Sequence, residues 1–214
     1  MIMSYKTVYK EAEAEQVIQR SRFITHVSPV DSYEEAQAYV AMIKEEYKDA
    51  THNVPAVVIG EKQELQWMSD DGEPQGTSGP PILRMLVEEG LTNLVVVVTR
   101  YFGGVKLGTG GLVRAYSGSA KLGLEAAGIC TVTDGYVMEY LMDYSHLAKI
   151  NNAEQQGDFH IIHTEYMDKV KVTVGCKTEA EGLVIKTFND ITSGTCELLS
   201  KKNEKISEKI VDSN

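Results

Sequence analysis

Two short segments gather the side chains able to do chemistry. The first, SDDGEPQGTSGPPI from Ser69 to Ile82, places Asp70, Asp71 and Glu73 within four positions. The second, TRYFGGVKLGTGGLVRAY from Thr99 to Tyr116, spaces Arg100, Lys106 and Arg114 among Gly103, Gly104, Gly108, Gly110 and Gly111. Carboxylates so close together can ligate Mg²⁺ or act as general acid and base, with His52 of the ATHN segment as a partner. The same Asp-Asp-Gly-Glu-Pro run is also ordinary turn chemistry, in which Asp accepts from nearby amides and Gly supplies a positive φ. Turn chemistry is the simpler reading, because no second ligand group stands at metal-site spacing; no metal or cofactor is expected. His52 reads in the same way as a packed or hydrogen-bonding residue.

The glycines and basic residues also have two readings. No Asp or Glu occurs between Gly90 and Leu124, whereas Arg100, Lys106, Arg114 and Lys121 all do. The formal net charge of −10 argues against a surface built throughout to attract nucleic acid, so a basic island on this chain points to a focused anion site. A glycine-rich turn between a strand and a helix start aims free amides and the positive helix end at one place. The expected site is Arg100, Lys106 and Arg114 with the backbone of Gly108, Gly110 and Gly111. The alternative is that the glycines serve only a tight turn and close helix–sheet packing. Nucleotide fingerprints fail here: Gly108-Thr109 lacks the lysine of a phosphate loop, and Val113 stands where a dinucleotide motif needs its third glycine.

The elements that must position these residues follow from patterning. The segment from Tyr5 to Val30 alternates apolar and polar residues and predicts one or two strands. Ser32 with Glu35 forms a capping box, and Ala36, Val40, Ile43 and Tyr47 share one helical face. Val54–Gly60 and Glu64–Ser69 predict a pair of strands. Pro80 or Pro81 opens a short helix through Val87, with Gly90 capping its end. LVVVV is a strand buried on both faces, and a helix runs from about Leu112 to Ala127. Beyond it the order βαββαβ is the split ferredoxin-like pattern. These features predict an α+β protein with domains at 1–133 and 134–203, a boundary between Thr131 and Gly135, and a frayed polar tail at 204–214.

At 214 residues with 43% hydrophobic content, the chain is long enough for two small domains. Its opening turns charged at once and no apolar run approaches a membrane span, so a cytoplasmic protein without a membrane partner is expected. Cys130, Cys176 and Cys196 are odd in number and far apart, which fits buried small hydrophobes better than a disulfide framework.

SDDGEPQGTSGPPIL, VVVTRYFGGVKLGTGGLVRAY, SRF and DATHN together resemble the signature of the IMPACT family, also called the YigZ family. The resemblance implies a first domain of ribosomal-protein type, an α/β sandwich with a sheet backed by two helices, like domain IV of elongation factor G. It implies a second, ferredoxin-like domain similar to domain V of that factor, as in bacterial two-domain members. Relatives carry Cys and an aromatic residue after Asn53, where this chain has Val54-Pro55. Eukaryotic members act in translational control by binding a ribosome-associated activator of a stress kinase. The leading expectation is therefore a non-catalytic RNA- or ribosome-binding regulator. Two alternatives stand beside it: a small enzyme acting on a phosphorylated ligand, and a protein-interaction module.

Overall fold

The computed structural model describes residues 4–209. It divides into two compact units, Tyr5–Thr131 with residues 208–209, and Val132–Ser207 with Ser4. The chain opens with three strands where one or two were expected: β1 (Ser4–Val8), β2 (Ala12–Ile18) and β3 (Ser21–Pro29). Then follow α1 (Tyr33–Glu46), β4 (His52–Ile59), β5 (Leu65–Met68), α2 (Gly79–Glu88), β6 (Leu94–Tyr101) and α3 (Thr109–Ala127). Among the described residues, no helix is long and apolar enough to cross a membrane.

In the first unit an antiparallel sheet has the order β2-β3-β6-β4-β5. Strand alternation sorts β6 between two cores. Leu94, Val96 and Val98 pack with Ile82 and Leu86 of α2 and with Leu112, Tyr116 and Leu124 of α3, while Val95 and Val97 pack with Ala36, Val40 and Ile43 of α1. The unbroken β-branched run is thus buried on both faces because helices cover both, although every neighbouring strand is antiparallel. A sheet backed by two helices is corrected accordingly: α2 and α3 share one face and α1 covers the other. On that other face Tyr33 meets Trp67 edge-on, with ring centroids 6.2 Å apart.

Capping chemistry explains the start of α1. The Ser32 hydroxyl accepts from the Glu35 amide at 3.2 Å, while the Glu35 carboxylate accepts from the Asp31 amide at 2.8 Å, one residue before the reciprocal position. α3 begins at Thr109 rather than Leu112, so Gly110 and Gly111 lie inside its first turn. Its small residues let it approach the sheet closely: a Cβ on Gly123 would lie 2.4 Å from Thr25 Cγ2.

The next strand, β7 (Ile129–Met142), is continuous across Thr131 to Gly135. The change of unit therefore falls inside a strand, with no linker at the expected boundary. After it come α4 (Leu147–Glu154), β8 (His160–Tyr166), β9 (Val170–Lys177), α5 (Glu181–Thr192) and β10 (Glu197–Lys209). β9 lies antiparallel between β7 and β8, and β10 pairs with β7. The core of this unit centres on Phe188, stacked on Tyr140 at 3.9 Å. Residues 204–209 are the end of β10 rather than frayed tail; residues 210–214 lie outside the described residues. All three cysteines are free, Cys130 and Cys176 buried and Cys196 half-buried. Burial pushes the Cys130 and Cys176 thiols up and keeps them protonated.

Candidate functional site

The end of β6, the loop between β5 and α2, and the start of α3 meet in the first unit. They line a cleft of about 380 Å³ whose walls include Pro74, Phe102, Leu107 and Leu112, with Glu73, Arg100 and Lys106 also on it. The acidic segment and the glycine loop thus share one cleft through Glu73. Arg100 is only 5% exposed. Its Nη1 donates to Glu73 Oε1 at 2.6 Å and its Nη2 to the Ser21 hydroxyl at 3.3 Å. The guanidinium carbon lies 5.4 Å from the ring centroids of both Phe23 and Phe102. Arg100 Nε is buried and has no acceptor among the described residues. Glu73 also accepts from the Tyr116 hydroxyl at 2.7 Å, and His52 Nε2 stands 3.7 Å from its second oxygen. Burial first, and then the bond to Glu73, push the Tyr116 phenol far above its ordinary range. Glu73 balances the charge of Arg100, so the cations left for an external anion are Lys106 and Arg114.

Both of those are exposed, and neither forms an ion pair among the described residues. Gly108 occupies the N-cap of α3 at φ 71°, a left-handed backbone that glycine adopts without strain. The first-turn amides of Thr109, Gly110 and Gly111 have no intrahelical acceptors, and glycine at the N-cap offers no side chain to supply one. Arg114, one turn on, brings Nη1 to 3.6 Å from where a Gly110 Cβ would be. Oriented amides, a helix end and two free cations therefore gather at the start of α3, with Lys106, Gly108 and Thr109 on the cleft itself, an arrangement suited to a phosphate.

Residues 19–124 match the Impact N-terminal domain, and residues 141–195 match a domain of unknown function, DUF1949. The IMPACT family member YvyE of Bacillus subtilis is 38% identical over 198 residues, which cover 92% of this chain and 91% of that one. The chain belongs to the IMPACT family. A second IMPACT family member, YigZ of Escherichia coli, is 35% identical over 187 residues, covering 86% and 91% of the two chains. A crystallised hypothetical protein, 32% identical, superimposes with a TM-score of 0.59 over 94% of this chain and 98% of its own.

The two aspartates of this IMPACT family member hold its own backbone. Asp70 Oδ1 accepts from the Ser78 amide and hydroxyl and the Gly79 amide, and Oδ2 accepts from the Gly76 amide at 2.7 Å. The Ser78 side chain at the N-cap of α2 accepts from no amide of the helix, so Asp70 supplies the missing acceptor from nine residues before Gly79. Asp71 at φ 48° accepts from the Asn53 amide and from Lys44. His52 Nδ1 lies 2.8 Å from the Asp71 carbonyl oxygen, which can only accept, so that nitrogen carries the hydrogen. Val54 and Pro55 continue β4. The Pro55 carbonyl accepts from Ser69 just past the end of β5, so its missing N–H faces a position where no strand needs it. Phe102 on the cleft wall, and the buried Ser21 and Tyr116 that hold Arg100 and Glu73 behind it, were not singled out as site residues; the cross-strand neighbour pair Phe23 and Arg100 could have indicated them, and it requires the β3–β6 register.

Burial raises the Asp70 carboxyl, but the bonds from Ser78, Gly76 and Gly79 outweigh it and leave the group below its ordinary value. Its stabilisation is complete above the unfolded carboxyl value of about 3.9 and disappears as pH falls through the lower folded value. We expect Asp70→Ala to cost about 1–2 kcal/mol at neutral pH, as for a lost helix cap. In urea titrations the gap between variant and wild type should close below about pH 3.9. A gap that persists unchanged into acid would show that the carboxylate charge is irrelevant.

Proposed function

We propose that this protein is a non-catalytic regulator linked to translation, binding RNA or the ribosome through the cleft of its first unit. The observation that carries this reading is the pair of exposed, unpaired cations, Lys106 and Arg114, beside the uncapped start of α3. Membership of the IMPACT family supports the link to translation, since the family resemblance ties eukaryotic members to translational control. The commitment of both Asp70 oxygens, both Asp71 oxygens and Glu73 to internal donors supports binding rather than turnover. The second unit, with order βαββαβ and strands arranged β10-β7-β9-β8, supports a ferredoxin-like domain. We read the first unit as the counterpart of domain IV of elongation factor G, with domain limits at 1–133 and 134–203, the second domain continuing along β10. The protein acts in the cytoplasm on this reading.

Calorimetric titration with a short single-stranded RNA across a salt series tests it. The double variant Lys106→Ala/Arg114→Ala should bind more weakly and flatten the salt slope by about 1.4, at about 0.7 per lost phosphate contact. An unchanged slope would remove the basic pair from the site, and no binding by the wild-type chain would remove the RNA reading.

A further inference from the structure

A site for phosphate alone needs cations and amides; it does not need apolar walls. This cleft has both. Pro74, Phe102, Leu107 and Leu112 line it, and Phe102 remains 47% exposed although it is a large aromatic side chain. One neighbour of its ring is the Arg100 guanidinium, which is held in place by Glu73 and Ser21. A cation held against the ring fixes its orientation and leaves it ready as a stacking surface. Arg100 lines the same cleft, is only 5% exposed, and keeps one buried donor, Nε, without an acceptor among the described residues. That unmatched donor belongs to a residue on the cleft wall and is independent of the helix end. The volume of about 380 Å³ is in the range of small-ligand sites and admits one flat heterocycle with its sugar.

We propose that the cleft takes a single unpaired nucleotide of single-stranded RNA, with the base against Phe102 and Pro74 and its phosphate at Lys106 and the α3 amides. This rests on the RNA-binding reading above and adds which RNA. Bases in a duplex are paired and stacked on their neighbours, and cannot enter a cleft without being extruded. Preference for sequence is weak on this geometry, because every base offers a π-face.

Four ligands titrated calorimetrically into the full chain decide it: an octamer of uridine, an octamer of abasic ribose phosphates with the same charge, a short duplex RNA, and uridine monophosphate. The octamer of uridine should bind about 10-fold or more tighter than the abasic octamer, one stacked base being worth that much. Phe102→Ala should remove that difference while leaving the abasic octamer's affinity unchanged. Because Phe102 is half exposed, the variant should melt only a few degrees below the wild type, the cost of its contact with Arg100, which separates lost stacking from lost folding. Equal binding of the uridine and abasic octamers, or a duplex that binds as well as the single strand, would overturn the unpaired-nucleotide site while leaving RNA binding intact. Uridine monophosphate binding as tightly as the octamer would overturn RNA as the occupant in favour of a free nucleotide. Absence of binding by all four would overturn both readings.

Discussion

Arg100→Met should lower the stability of the first unit by about 3–5 kcal/mol, the range for removing one partner of a buried ion pair. The side chains of Arg100 and Glu73 are 6% and 3% exposed, so the remaining carboxylate would stay in the interior with the Tyr116 hydroxyl as its only close side-chain donor among the described residues. Desolvation then decides the outcome, because the charge that justified burying Glu73 is gone. Removing the whole set should behave differently. In Glu73→Leu/Arg100→Met/Tyr116→Phe no charge and no hydroxyl is stranded, and we expect most of the loss to be recovered. Urea unfolding of the single and triple variants measures both. A single variant that loses less than about 1 kcal/mol, the scale of an exposed pair, would mean that Glu73 is hydrated in solution and that the pair does not hold the cleft.

Gly103→Ala should cost about 3 kcal/mol, at the top of the usual range for an overfilled site. A Cβ there would lie 2.0 Å from the carbonyl carbon and oxygen of Arg20, which are backbone atoms and cannot swing aside. Gln19 and Arg20 form the two-residue turn joining β2 to β3, both in left-handed conformations, so the turn has little freedom to yield. The Gly103 amide also donates to the Ser21 hydroxyl that accepts from Arg100, so displacement of this segment loosens the floor of the cleft. Gly118→Ala is the matched control. The nearest atom to its new Cβ would be Gln16 Nε2 at 3.8 Å, and the helix gains up to about 1 kcal/mol from the better residue. The same chemical change should therefore have opposite signs at the two positions. Equal midpoints in urea for Gly103→Ala and the wild type would show that the turn moves freely.

Local rules carried the sequence reading wherever a signal sat within a few residues. The Ser32 cap, the Pro-opened α2 and the doubly buried LVVVV strand are of this kind. What needed a register was hidden. Arg100 meets Glu73 across 27 positions, and only the placement of β6 between β3 and β4 brings them together. Ala36, Val40 and Ile43 announce an apolar stripe on α1 but cannot say which sheet face it covers. The start of α3 was masked by glycines, whose poor helix propensity conceals a first turn fixed by tertiary packing. The end of β10 was masked by composition: in KNEKISEK only Ile206 turns inward, at 3% exposure, so the pattern reads as coil.

The contact between Trp67 and Tyr33 has an optical consequence. Trp67 is the single tryptophan of the chain, and it sits on the α1 face of the sheet, opposite the layer formed by α2 and α3. At 37% exposure its emission is already partly that of a hydrated indole. Intrinsic fluorescence will therefore follow the loosening of α1 from the first unit and be insensitive to what occupies the cleft. It will also miss the second unit, whose unfolding must be followed through its tyrosines.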